Sequence, residues 1–130
     1  MEKFVKGLFA LVFAFILYSS YYRQHLFIEY KLESKIYKLL IAKNSNQWQR
    51  GLMNLRSKKD LRGAEGMIFL FPNKDYRSFW NENTYLDLNV YWLDGDKVIG
   101  KDFLPNILKT NELKIINSPG KVDKVIEIIK

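Results

Sequence analysis

The stretch from Leu86 to Trp92 limits the fold more than any other. Leu86, Leu88, Val90 and Trp92 alternate with Asp87, Asn89 and Tyr91. A period of two turns one set of side chains to a buried sheet face and the other set away from it. Asp94-Gly95 follows, a pair suited to a tight hairpin turn. Lys97 to Leu104 returns as the partner strand, and Pro105 ends it. Ile36 to Ala42 is strand-like, and Met67-Ile68-Phe69-Leu70-Phe71 is a continuous apolar run expected to be buried on both faces, with Pro72-Asn73 as its stop. Ser78-Phe79-Trp80, Lys114 to Asn117 and Val125 to Ile129 supply shorter strands. Gln24 to Ser34 is either a stalk or a first strand.

One helix interrupts this pattern. Asn44 precedes Gln47 by three residues, a capping spacing, and predicts a helix from about Ser45 to Met53 with Trp48, Leu52 and Met53 turned inward. The fold class is therefore mainly β (α+β), a compact small barrel or sandwich with one short helix. With 130 residues, 48% of them hydrophobic and 15% aromatic, the chain can bury one core. Its expected members include Leu40, Leu52, Met67, Phe69, Leu88, Val90 and Val98.

A different kind of segment comes first. Lys3 and Lys6 precede the apolar run from Gly7 to Leu17, and Tyr18, Tyr21 and Tyr22 follow it. Over residues 4–22 a helix would rise about 28 Å, close to the hydrocarbon thickness of a bilayer. The small-x-small pattern of a cleavage site is poor. The reading is an uncleaved amino-terminal transmembrane anchor, with a cleaved secretory signal as the alternative. The expected division is residues 1–22 as anchor, 23–35 as stalk or first strand, and 36–130 as an extracytoplasmic β domain.

Charge and residue inventory narrow the chemistry. The net charge is +7, with lysines scattered among acids and the densest basic run at Arg56-Ser57-Lys58-Lys59. That run reads as a solvated loop, and no nucleic-acid-binding signature accompanies it. The absence of cysteine removes disulfides and thiol chemistry. The only histidine, His25, sits just after the apolar run, where a stalk or interface role is expected rather than catalysis. No metal site and no cofactor are expected, and Asp94-Gly95-Asp96 reads as a turn.

Four motifs occur in order: Gln49-Arg50-Gly51-Leu52-Met53, then Gly66-Met67-Ile68-Phe69-Leu70-Phe71, then Phe79-Trp80-Asn81-Glu82-Asn83-Thr84, then Leu86-Asp87-Leu88. The sequence from Ile36 to Ile129 resembles the domain of unknown function 192 family, DUF192. That family's pattern has Met-Lys where this chain has Asn81-Glu82, and a proline ahead of its Leu-Asp that is missing here. The resemblance implies a small β-rich fold and frequent export, and no activity.

Arg50, Trp80, Asn83, Thr84, Asp87 and Glu127 match the family's polar or aromatic positions. Grouped around one pocket, Trp80 would be an apolar platform, Arg50 a clamp for an anion, and Asn83 and Thr84 orienting hydrogen bonders, with Asp87 beside them. The competing structural reading pairs Arg50 with Asp87 or Glu127 in a satisfied ionic group. An enzymatic reading uses Asp87 and Glu127 as an acid–base pair of a metal-free envelope hydrolase. The expected function is a membrane-anchored binding or accessory module, held in the membrane through residues 4–22. Its partner would be an envelope protein, a glycan or a small ligand, and not nucleic acid.

Overall fold

The computed structural model of the chain describes residues 11–16 and 26–130. Eight strands follow in order: β1 (Phe27–Leu32), β2 (Lys35–Ala42), β3 (Gly66–Asp75), β4 (Ser78–Trp80), β5 (Leu88–Asp94), β6 (Lys97–Leu104), β7 (Ile115–Asn117) and β8 (Val122–Ile129). Two α-helices, α1 (Ser45–Arg50) and α2 (Ile107–Thr110), and a 3-10 turn at Lys58–Leu61 complete the elements. Six strands form one sheet in the order β1-β2-β3-β8-β5-β6, and β4 pairs with β7 in a second, small sheet.

The alternation read from the sequence decides which face each residue joins. Val90 and Trp92 of β5, Met67 and Phe69 of β3 and Val125 of β8 build one core, closed by Leu52, Leu61 and Ile116. Ile68, Leu93, Ile126, Ile128, Leu39 and Leu32 build a second core on the opposite face. Of the expected core positions, Leu52, Met67, Phe69, Leu88 and Val90 are buried, while Leu40 and Val98 are partly buried against the two clusters.

The large sheet is open, a sandwich and not a closed barrel. Its edge strands β1 and β6 share no ladder. Tyr30 Oη donates to Asp96 Oδ1 at 2.7 Å and Lys101 Nζ donates to Glu33 Oε2 at 2.7 Å, so side chains join the two edges. Charged side chains along an edge oppose further strand pairing, and β6 carries Lys97, Lys101 and Asp102.

Several sequence expectations change. Of the two readings of residues 23–35, stalk or first strand, the described part is the first strand: β1 pairs with β2 from Phe27↔Leu40 to Leu32↔Lys35. Between β2 and β7 there are three short helical elements instead of one. Pro72-Asn73 does not end its strand, because β3 absorbs the missing amide in a register shift between Leu70 and Asp75 and continues. The apolar segment of residues 4–22 and His25 lie outside the described residues, apart from residues 11–16, which are helical. Among the described residues no helix is long and apolar enough to cross a membrane.

β2 and β3 run parallel, so the chain must cross over between them. That crossover carries α1 and positions the site. Asn44 caps α1 by accepting from Gln47 N at 3.0 Å, as its spacing predicts. Gln47 Oε1 accepts from Lys43 N, one residue before the cap. Gly51 ends the helix at φ 48°, three residues earlier than expected, in a conformation that favours glycine.

Candidate functional site

A cavity of about 900 Å³ opens between the end of α1, the outer half of β3 and the loop leading into β4. Its apolar walls include Trp48, Phe69, Phe71, Phe79 and Trp80, and its polar groups include Arg50, Arg77, Ser78, Thr84 and Glu127. The volume and the mix of aromatic walls with a few polar groups suit a small-molecule site.

Each wall is held by identifiable contacts. Trp48 Nε1 donates to both Ala42 O and Leu70 O at 3.1 Å, which pins α1 across β2 and β3. Its ring meets Phe71 at 5.0 Å between centroids. Phe79 stands edge-on to Phe69 at 4.8 Å and to Trp92 at 5.6 Å, the geometry that aromatic quadrupoles favour. Trp80 remains 47% exposed at the rim.

Glu127 is the unusual member. It lies on β8 in the middle of the sheet, opposite Met67 on one side and Val90 on the other. It is only 4% exposed. Burial alone pushes its carboxyl from the ordinary 4.5 up to about 8. No cation or hydrogen-bond donor among the described residues offsets that burial, so the group is uncharged at neutral pH. The sheet closes tightly there: a Cβ on Gly66 would stand 1.9 Å from Glu127 O.

Two arginines share the cavity. Arg50 is exposed at the end of α1. Arg77 stacks its guanidinium on the Phe71 ring at 3.8 Å and donates from Nη2 to Asn73 O at 2.7 Å. Its Nε is buried without a hydrogen-bond partner. Neither arginine forms an ion pair among the described residues.

The structure brings together Arg50, Trp80, Thr84 and Glu127, and leaves Asn83 and Asp87 out of the cavity lining. Asn83 is a turn residue at φ 49° whose carbonyl accepts from Asn54 N at 2.8 Å. Asp87 serves α2: its Oδ1 accepts from Asn106 N at 3.0 Å and Nδ2 at 2.9 Å, and its Oδ2 pairs with Lys109 Nζ. The Lys109 ammonium, then the Asn106 amide, hold the Asp87 carboxyl below its usual range. The expected group of Arg50, Asp87 and Glu127 therefore does not form. The expected carboxylate pair is not assembled either, since Asp87 is committed to α2 and Glu127 lines the cavity alone.

Sequence reasoning missed Arg77, Trp48 and Asn81. Asn81 is fully buried. It donates to Pro105 O at 2.9 Å and Thr110 Oγ1 at 3.0 Å, and accepts from Lys114 N at 2.8 Å. It thus ties the Trp80 loop to α2 and β7. Its departure from the Met-Lys pattern was a visible signal of a polar role.

The match to the DUF192 family model, described as Uncharacterized ACR, runs over residues 28–130. The chain belongs to this family. No curated protein matches it. Among solved structures, a DUF192-like fold is found in a candidate transcription regulator from Sinorhizobium meliloti, with 23% identity over 78% of this chain and 76% of that one, at a TM-score of 0.60. A protein of unknown function from Novosphingobium aromaticivorans is similar at 23% identity over 79% of this chain and 71% of that one, at a TM-score of 0.61. These likenesses concern the fold of the DUF192 domain and carry no activity to it.

Proposed function

We propose that the chain is a membrane-anchored binding module whose DUF192 domain lies on the extracytoplasmic side and takes a small ligand into the aromatic cavity. The observation that carries this reading is Glu127, a residue only 4% exposed whose carboxyl lines an open cavity with no hydrogen-bond partner among the described residues. Beside it Arg77 Nε is buried without a hydrogen-bond partner, and a buried polar group left so costs roughly 1–3 kcal/mol. Such a cost is tolerated in native proteins chiefly where the group has work to do. The aromatic walls supply contact area, and the polar groups supply orientation. The anchor rests on the apolar run of residues 4–22, whose length and flanking tyrosines suit an uncleaved span.

Two measurements test the two halves. For the site, water-soluble aromatic fragments are titrated into the full chain with 13C-labelled tryptophan rings. Binding should move the Trp48 and Trp80 signals together and be lost in Trp80→Ala. Fragments that scatter over the surface, or that bind Trp80→Ala equally well, contradict the cavity as the site. For the anchor, the intact mass of membrane-extracted protein should retain the first 22 residues. A mature terminus near Ser20 would make the segment a cleaved signal.

A further inference from the structure

We infer that the ligand is a flat organic carboxylate, its charge matched by Arg50 and Arg77 and one of its oxygens accepting a hydrogen bond from the Glu127 carboxyl. This rests on the cavity reading above and adds the ligand's class.

The charge balance of the cavity makes the argument. The charged or titratable side chains that line it besides Glu127 are Arg50 from α1 and Tyr76 and Arg77 from the loop into β4. The two strands flanking Glu127 place Met67 and Val90 opposite it, neither of them charged. Glu127 stays protonated at neutral pH because burial disfavours its charge. The lining therefore carries two guanidiniums and no ionised acid. Low-dielectric aromatic walls strengthen that field.

Three kinds of ligand can be compared against it. A cation would face both arginines and would have to ionise Glu127 against its burial. The aromatic surface that could favour a cation is partly taken, since Arg77 already lies on Phe71 at 3.8 Å. A neutral ligand leaves both guanidiniums without an ionic partner. A carboxylate satisfies Arg50, meets the positive charge of the Arg77 guanidinium at the cavity wall, and accepts from protonated Glu127. Guanidinium is the side chain best shaped for such a group. A flat aromatic body can in addition stack on the aromatic walls, Trp48 and Trp80 among them.

The sign of the pH response follows. Below about 8, Glu127 donates to the bound carboxylate. Above it, two carboxylates would face each other, and binding should be lost. Glutamine keeps a donor at every pH.

The test uses three probes of one shape: benzoate, benzamide and benzylammonium. They are titrated into the full chain with labelled tryptophan rings, read at Trp48 and Trp80. At pH 6.5 benzoate should bind about 10-fold more tightly than benzamide, the size of one additional charge-matched contact. Benzylammonium should be the weakest. Arg50→Gln should bring benzoate close to benzamide and leave benzamide unchanged. Raising the pH to 9.5 should weaken benzoate by about 10-fold in the wild type and by less than about 2-fold in Glu127→Gln. Tightest binding of benzylammonium, equal binding of benzoate and benzamide, or the same pH response in Glu127→Gln overturns the inference while leaving the cavity as a site. Silence of both tryptophans towards all three probes overturns the cavity reading and the inference together.

Discussion

Glu127 and Asp87 show how one functional group, the carboxyl, takes opposite roles through its surroundings. Glu127 is neutral because nothing near it offsets burial, and Asp87 is charged because Lys109 and Asn106 hold it so. Their consequences for stability have opposite signs. The folded-state pKa of Glu127 is raised from 4.5 to about 8. Between those values the unfolded chain releases the proton and the folded chain keeps it, so stability falls as pH rises through that window. Glu127→Gln should therefore match the wild type near pH 4 and exceed it by a few kcal/mol at pH 8.5, in thermal melts across the range. Asp87, with its depressed value, contributes above its unfolded pKa and loses that contribution as pH falls through the folded one. Its partner Lys109 is 59% exposed, so the pair is worth far less than a buried ion pair. Asp87→Asn should cost about 1 kcal/mol at neutral pH, chiefly by weakening the bonds to Asn106. A loss above about 3 kcal/mol would restore the ionic group that the sequence suggested. The period of two put Asp87 at a strand, and the short strand read over Val125 to Ile129 carried Glu127. Neither pattern gave a partner, because Lys109 and Asn106 reach Asp87 across 22 and 19 residues.

At the scale of elements, the site depends on how closely β3, β8 and α1 approach one another. Gly66 is the tightest point, since a Cβ there would overlap backbone of Glu127 at 1.9 Å. Backbone cannot give way as a flexible side chain can. Gly66→Ala should push β3 from β8, with either failure to fold or a loss above about 3 kcal/mol in denaturant unfolding. Wild-type stability in that variant would contradict the register between Gly66 and Ile128. Much of this layer was readable in the chain. The hairpin of β5 and β6, the short β4 and β7 and the cap at Asn44 all follow from local pattern. The parallel pairing of β2 with β3 was not readable, because partner choice depends on the crossover and not on either strand. Nor did the proline at position 72 disclose that β3 would bulge and go on. Arg77 escaped notice for a related reason: its ring partner is Phe71 and its acceptor Asn73, both across that bulge.

Residues 26–130 form an open sandwich with a core on each face of the large sheet. The cavity lies on the face that carries α1 and the β4–β7 pair, and the edges of the sheet meet on other contacts, Tyr30 with Asp96 and Lys101 with Glu33. A change at those edges should therefore leave the cavity intact. Tyr30→Phe should cost about 1 kcal/mol in melting experiments and leave benzoate binding unchanged. An equal loss of binding would show that the two faces are coupled. Family membership was legible from four short motifs because they are the segments that turn, cap and pack this fold. The ligand was not legible, because it depends on which side chains the fold leaves without partners. One carboxyl, Glu127, lines the aromatic cavity with no partner among the described residues. The most direct measurement is the 13C NMR titration of the glutamate carboxyl carbons in the full chain, with Glu127 assigned by its disappearance in Glu127→Gln. Glu127 should titrate with a midpoint near 8. A midpoint in the usual glutamate range of about 4–5 would show a solvated or paired carboxylate and contradict it.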